Sequence, residues 1–100
     1  MNGHGMTKLS IYFKELKKSQ GLTSDYQVAK FLGVSKQYAY RVMESGRLSD
    51  VLCIKIAKVL GIDPLEIISL REAEKAKDRD AKSLWVELHT RTKEARAEKR

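Results

Sequence analysis

The stretch of sequence that decides the fold is Ser24–Arg47, which reads SDYQVAKFLGVSKQYAYRVMESGR. Its apolar residues predict two short amphipathic helices with one break between them, at Gly33. Ser24 is a suitable N-cap for the first helix, because its hydroxyl can accept a hydrogen bond from a free backbone N–H in the first turn. Gly33 predicts the end of that helix, since glycine takes the left-handed C-cap conformation without steric cost. The stretch therefore predicts two helices joined by a tight turn.

Each of the two helices has one apolar face. The apolar face of the first helix is predicted to contain Tyr26, Val28, Ala29 and Leu32. The second helix follows a second N-cap, Ser35, and its residues Ala39, Val42 and Met43 recur at the spacing of one buried helix face. Two helices joined by a short turn that contains glycine form the helix-turn-helix layout, in which the second helix enters the major groove of DNA.

The outer face of the second helix carries the side chains that are predicted to read DNA bases. At about 100° per residue, Gln37, Arg41 and Glu44 lie almost opposite the buried face. A glutamine amide can pair with adenine N6 and N7, and an arginine guanidinium can pair with guanine O6 and N7. The predicted base contacts are Lys36, Gln37, Tyr38, Tyr40 and Arg41. The alternative is that this face is only the solvated side of a small helical domain.

Several stretches of the chain resemble the DNA-binding domain of the lambda-repressor/Cro group, also called the Xre-type helix-turn-helix. These stretches are VAKFLGVS at 28–35, SGR at 45–47 and IAKVLGI at 56–62. The resemblance extends from about residue 7 to residue 68 and implies an all-α domain of five helices that binds a specific DNA sequence. In that family, bases are read from positions that correspond here to Lys36, Gln37 and Arg41.

The same resemblance implies contacts to the DNA backbone. In related repressors the loop that follows the second helix lies along the sugar-phosphate backbone, which makes Arg47 a positioning contact. Further predicted backbone contacts are Ser24, Ser35 and Lys17. A solvated charged face explains Lys17 equally well. Asp25 departs from the family, which often has a phosphate-binding glutamine at this position, and Asp25 and Glu44 argue against DNA binding.

The composition favours a basic, DNA-binding protein over an enzyme. Twenty lysine and arginine residues against thirteen aspartate and glutamate residues give a net charge of +7, which suits a polyanionic partner. With two histidines, one cysteine and no phosphate-binding glycine loop, the sequence predicts no catalytic residue, no metal site and no cofactor. Cys53 is predicted to be a small core residue. Without a membrane segment or a signal peptide, the sequence predicts a protein of the bacterial cytoplasm, associated with the nucleoid through DNA binding.

The chain divides into three predicted parts. Residues 1–6 are predicted to be a flexible lead or a tag scar, residues 7–70 the helix-turn-helix domain, and residues 71–100 a charged C-terminal helical extension. Further helices are predicted near 7–20, at 50–60 after the cap Ser49, from 64 onward, and at 81–95 after a break at 77–80. The helix at 50–60 is apolar around most of its circumference and is predicted to be buried centrally.

The helix that begins at Pro64 has a strong start signal. Asp63 can cap it, proline suits its first position, and Glu66 can complete a capping box. The predicted inward residues are Leu65, Ile68 and Leu70, with Ile67 near an edge.

The C-terminal extension has an apolar stripe that needs a surface. Leu84, Trp85 and Leu88 share one helix face, and His89 beside them is predicted to be solvated. Two hypotheses stay open: the stripe folds back onto its own domain, or it packs against a second copy of the chain. The second makes Leu84, Trp85 and Leu88 a dimer interface, and a symmetric dimer suits a palindromic operator. A tryptophan-bearing charged tail after such a domain is similar to the small immunity repressors of filamentous bacteriophages.

Two classes of function remain. The predicted one is a sequence-specific regulator of transcription that binds double-stranded DNA as a homodimer and represses by occluding a promoter. The alternative is a protein-interaction module, such as an antitoxin-like adaptor, that keeps the fold without binding DNA. The basic charge and the outward positions of Lys36, Gln37 and Arg41 favour the first class.

Overall fold

The computed structural model describes residues 8–98, so the predictions for the N-terminal lead and for a helix start at residue 7 lie outside the described residues. The described chain is all-α, as predicted, and contains six helices. They are α1 (Ser10–Gln20), α2 (Asp25–Leu32), α3 (Lys36–Ser45), α4 (Asp50–Leu60), α5 (Pro64–Lys75) and α6 (Arg79–Glu98). The first five correspond to the five predicted helices of the domain, although α5 continues beyond residue 70, the predicted end of the domain, and α6 lies within the predicted extension.

Local sequence signals determine where the helices begin and end. The side chains that accept a hydrogen bond from a backbone N–H in the first turn of α2, α3, α4 and α5 are Ser24, Ser35, Ser49 and Asp63. At the end of α2, Gly33 has a φ of 76°, in the left-handed region. The N–H of Val34 then bonds the carbonyl of Ala29 at 2.9 Å and closes the turn. The turn between α2 and α3 is therefore fixed by its own sequence.

One hydrophobic core joins the first five helices. Its fully buried side chains include Tyr12, Leu16, Val28, Val42, Cys53, Ile56 and Ile67. Tyr26 was predicted to lie on the apolar face of α2, but its side chain is 55% exposed, because it falls on the flank of the buried stripe. Cys53 is a core residue as predicted, and burial raises the pKa of its thiol to about 11, so the thiol stays protonated at neutral pH.

Two predictions about the central helices are wrong. Val51 is 73% exposed and Ile54 is also exposed, so α4 is buried on one side and not centrally. The helices α1, α2 and α5 pack on α4, and they leave Val51 and Ile54 uncovered. In α5, Ile67 is fully buried and Leu65 is exposed, contrary to the prediction, whereas Leu70 is buried and Ile68 packs on the core as predicted. Ile67 belongs to the core that joins the first five helices, and α6 packs along α5 in addition.

The C-terminal extension folds back onto its own domain. α5 ends at Lys75 and α6 begins at Arg79, so the predicted break is present, and Asp78 Oδ2 accepts a hydrogen bond from Ala81 N at 2.9 Å. α6 continues to Glu98, beyond its predicted end, and packs along α5. Within the single chain, the extension thus packs on its own domain, as the first of the two hypotheses states. Packing of the stripe against a second copy stays a prediction.

A buried ionic network ties α1, α5 and α6 together. Glu66 is fully buried, and its Oε2 accepts hydrogen bonds from Tyr12 Oη at 2.6 Å and from Arg96 Nη2 at 3.1 Å. Arg96 Nε lies 2.9 Å from Glu66 Oε1 as an ion pair, and the guanidinium also donates to both carboxylate oxygens of Glu15. The pKa of Tyr12 is raised well above its usual range, mainly by burial and secondly by the hydrogen bond to Glu66. The predicted capping box is wrong, because the Glu66 carboxylate is buried in this network.

His89 belongs to the same contact between α5 and α6. The ring is half-buried, and its Nδ1 lies 2.8 Å from the backbone carbonyl oxygen of Glu66. A carbonyl oxygen only accepts, so Nδ1 donates the hydrogen in this bond. The prediction of a solvated His89 is wrong, because α6 turns this side toward α5.

Candidate nucleic-acid interface

The turn after α2 holds α3 at the surface of the domain. Ala39, Val42 and Met43 bury one side of α3 in the core. The N-terminal end of α3 is fixed by Ser35, whose Oγ accepts a hydrogen bond from Tyr38 N at 3.0 Å. A helix that is anchored along one side and exposed along the other has the geometry of a recognition helix.

Four of the five predicted base contacts lie together on the exposed side of α3. Lys36, Gln37, Tyr40 and Arg41, together with Glu44, line a shallow groove of about 440 Å³. The Tyr40 hydroxyl donates to Glu44 Oε2 at 3.3 Å, so that the two side chains are held together. Gln37 and Arg41 are both exposed and one helical turn apart, which places an amide and a guanidinium on one face.

Tyr38 is placed differently from the other four. Its side chain packs on the core, and its hydroxyl oxygen accepts a hydrogen bond from Ser49 N at 3.2 Å. The residue thereby connects α3 to the start of α4. A base contact by Tyr38 stays a prediction, and the contact that the structure shows is with the protein itself.

The serines predicted to contact the DNA backbone also cap helices. Ser24 Oγ accepts a hydrogen bond from Gln27 N at 3.1 Å, and Ser35 Oγ accepts one from Tyr38 N at 3.0 Å. A hydroxyl both donates and accepts, so each serine can still donate its hydrogen to a phosphate oxygen. The caps place both hydroxyls at helix N-termini, where the helix dipole favours an anion.

Lys17 and Asp25 form an ion pair at 2.7 Å that connects α1 to the first turn of α2. This contact gives a structural role to Asp25, the residue that departs from the pattern of the family. Both side chains are partly exposed, so the pair contributes less than about 1 kcal/mol to stability. To contact a phosphate, the Lys17 ammonium group must either bind the phosphate and Asp25 together or break its ion pair with Asp25.

The loop after α3, residues 46–49, carries Arg47 at the surface and is anchored by contacts within the protein. Leu48 is buried, and Arg71 of α5 donates to the Leu48 carbonyl at 2.8 Å and to Asp50 Oδ1 at 2.6 Å. Burial by itself lowers the pKa of Arg71, but its bonds to acidic neighbours, first among them Asp50, raise it above its ordinary value. Sequence reasoning missed Arg71, because these partners lie 23 and 21 positions away and leave no local pattern.

The three predicted dimer residues do not share one environment. Leu84 is 60% exposed, whereas Trp85 and Leu88 are half-buried where α6 packs on its own domain. Of the three, Leu84 is the one whose side chain is mainly available to a second chain.

Comparison with known proteins places the chain in a family. The profile of a family described as Helix-turn-helix matches residues 13–67, more than half of the chain. The match runs from α1 into α5 and includes α3 and the turn before it. The chain is a helix-turn-helix protein of the Xre and lambda-repressor type. No curated protein and no solved structure matches this helix-turn-helix protein significantly.

The family gives the exposed face of α3 a coarse function. Its members are DNA-binding regulators of transcription, and the helix-turn-helix domain is regulatory and not catalytic. Between residues 8 and 98, no helix of this helix-turn-helix protein has both the length and the apolar character needed to cross a membrane. The exposed face of α3 is accordingly the candidate DNA-binding surface.

Proposed function

We propose that this helix-turn-helix protein is a sequence-specific, dimeric repressor that occludes a promoter in the bacterial cytoplasm. The observation that carries the proposal is the exposed face of α3, on which Lys36, Gln37, Tyr40 and Arg41 lie side by side. Under this proposal, the bound protein represses transcription by occupying the promoter DNA. The charged extension with its single tryptophan supports an immunity repressor of the filamentous-phage kind.

Base recognition is assigned to the outer side of α3. In this assignment, the Gln37 amide pairs with an adenine and the Arg41 guanidinium pairs with a guanine in the major groove. Lys36 and Tyr40 flank them, and the Tyr40 ring packs on a thymine methyl group. Because the major groove shows a different pattern of donors and acceptors for each base pair, these contacts select a sequence.

Arg47 is assigned to the DNA backbone. We expect Arg47→Ala to weaken binding to all duplexes alike and to reduce the slope of log affinity against log salt by about one unit, because one phosphate fewer is neutralised. Salt titrations with a preferred and an unrelated duplex measure both effects. Arg91→Ala is the matched control, since Arg91 is an exposed arginine on α6 and its loss removes the same charge. An unchanged slope, or a changed base preference, would contradict the assignment.

The dimer contact is assigned to the outward side of α6. Leu84 is an exposed leucine there, and a symmetric pair of α6 helices would bury it in both subunits. We expect both Leu84→Asp and Trp85→Ala to give monomers in light scattering. Leu84→Asp is the more direct test, because Trp85 also packs within its own chain.

Val51→Asp is the matched control for the dimer, since Val51 is an exposed apolar residue on α4. It should leave the dimer intact. In the dimer, the two α3 helices are expected about 34–36 Å apart, or at a multiple of this distance, to meet successive half-sites. A monomeric wild-type protein, or a Leu84→Asp variant that stays dimeric, argues against this arrangement.

A footprint on the intergenic DNA beside the protein's own gene tests the proposed function. We expect short protected sites with regular spacing, at protein concentrations that leave unrelated DNA unprotected. Equal binding to all DNA would contradict recognition of a specific sequence, and no binding would instead favour a protein-interaction module on the same fold.

A further inference from the structure

We infer that α5 completes the DNA interface by forming a phosphate subsite together with the loop at 46–49. In this subsite Lys75 contacts the phosphate beside Arg47, and Arg71 is a positioning residue that holds the loop. The inference rests on the proposed DNA binding, and it adds to the interface a helix that the sequence assigns only to the core.

The subsite is a cleft between the end of α3 and α5, with a volume of about 790 Å³. Arg47 and Ser49 line it from the loop, Asp50 lines it from the start of α4, and Arg71 and Lys75 line it from α5. Folding thus brings together three cationic side chains from segments that are distant in the sequence. A duplex whose groove is entered by α3 presents its phosphates to the loop that follows α3.

Arg71 is committed to the protein. Its side chain is only 13% exposed, and Nη1 donates to Leu48 O at 2.8 Å and to Asp50 Oδ1 at 2.6 Å, while Nε donates to Glu72 Oε2 at 3.0 Å. These bonds occupy the guanidinium in fixing the residues on either side of Ser49. Arg71 therefore acts on DNA through the loop and not by direct contact.

The loop is also held from α3. The Tyr38 hydroxyl accepts a hydrogen bond from Ser49 N, and Gly46 N donates to the Val42 carbonyl at 2.9 Å. Arg47 is consequently carried by a backbone that is fixed before DNA arrives. Fixing a binding loop in advance reduces the entropy lost on binding.

Lys75 is the second cation of the subsite. It lies one turn after Arg71 on α5, and its side chain is 57% exposed. Its ammonium group is 3.5 Å from Glu72 Oε2, a weak exposed pair that leaves the group accessible to a phosphate oxygen. Arg47 and Lys75 line the same cleft, so one phosphate, or two neighbouring phosphates, would find both charges there.

The first experiment compares Lys75→Ala with Lys77→Ala in salt titrations of duplex binding. Lys77 carries the same charge two residues later, does not line the cleft and is exposed. We expect Lys75→Ala to reduce the salt slope by about one unit and to lower affinity several-fold on every sequence, and Lys77→Ala to do neither. Equal slopes for the two variants would overturn the role of Lys75.

The second experiment tests Arg71 as a positioning residue by a double-mutant cycle with Arg47→Ala. We expect Arg71→Met to lower affinity about tenfold on all duplexes, and Arg47→Ala to have less than half of its normal effect in that background. Arg96→Met is the matched control, because it removes a partly buried arginine that lies outside the cleft. All variants are measured at a temperature where circular dichroism shows them to be folded.

The outcomes separate the subsite from the proposed function. If the wild-type protein binds no duplex, the proposed function fails. If the wild-type protein binds a preferred sequence but Lys75→Ala matches Lys77→Ala, or Arg71→Met and Arg47→Ala are additive, then the subsite fails and the function stands. Should Arg71→Met not fold, the comparison of Lys75 with Lys77 decides alone.

Discussion

Replacing Arg96 with methionine should lower the free energy of unfolding by about 2–4 kcal/mol. The substitution removes the ion pair to the fully buried carboxylate of Glu66 and leaves Tyr12 as the hydrogen-bond donor to it. Breaking a buried pair from one side costs about 3–5 kcal/mol when the pair is fully enclosed. The expected loss is slightly smaller here, because the Arg96 side chain is 21% exposed and water can reach part of the site.

Urea titration of the variant and the wild type measures this loss. Arg91→Met is the matched control on the same helix, because the Arg91–Glu87 pair is exposed and should contribute less than about 1 kcal/mol. Adding Glu66→Gln to Arg96→Met should recover much of the loss, since a neutral amide can remain buried and still accept from Tyr12. An Arg96→Met variant as stable as Arg91→Met would show that the network does not hold α6 on the domain.

Arg41→Ala should weaken binding to the preferred duplex by about 1–3 kcal/mol and relax the preference at one base pair. The reason is that the exposed guanidinium on α3 is assigned to the edge of a guanine, where two parallel hydrogen bonds discriminate against other bases. Stability should hardly change, because Arg41 is exposed on the side of α3 away from the core.

Competition by a set of duplexes, each changed at one base pair, measures this effect on preference. Wild-type protein should reject the changed base at one position that Arg41→Ala tolerates. Arg91→Ala, which removes the same charge from α6, should keep the full preference. If Arg41→Ala weakens binding equally on every duplex, then Arg41 contacts the backbone and the assignment to a base is wrong.

The helices and turns of the domain could be predicted because their causes are local. Ser24 and Ser35 cap the helices that follow them, and Gly33 takes the left-handed conformation that ends α2. The exposed side of α3 also follows from local spacing, since the buried residues Ala39 and Val42 determine which positions remain outside. The exposed side of α3 could therefore be predicted largely from the sequence, without knowledge of how the other helices pack around it.

The contacts that join distant segments could not be predicted in the same way. Glu66 suits a capping box in the sequence, yet it bonds to Tyr12 and Arg96, which lie 54 and 30 positions away. Likewise, helix periodicity places Tyr38 on a flank of α3, but its contact with Ser49 depends on where α4 packs. A spacing pattern identifies a face that needs partners and does not identify the partners.

The C-terminal helix shows the same limit, because its sequence pattern identifies an apolar face but not the surface that covers it. The stripe of Leu84, Trp85 and Leu88 required a covering surface, and both its own domain and a second chain could supply one. In the single chain, α6 packs along α5, Trp85 and Leu88 are half-buried, and Leu84 stays exposed. The proposed dimer therefore depends on the outward side of α6, which the domain leaves uncovered.

Selection of bound duplexes from a pool of random sequences tests the central claim most directly. If α3 reads bases, the wild-type protein should enrich one sequence with two related half-sites, bound about 10³-fold or more tightly than bulk DNA. Gln37→Ala and Arg41→Ala should each lose the preference at a different base pair of that sequence. Enrichment of no sequence by the wild-type protein, or an identical preference in both variants, would contradict the account.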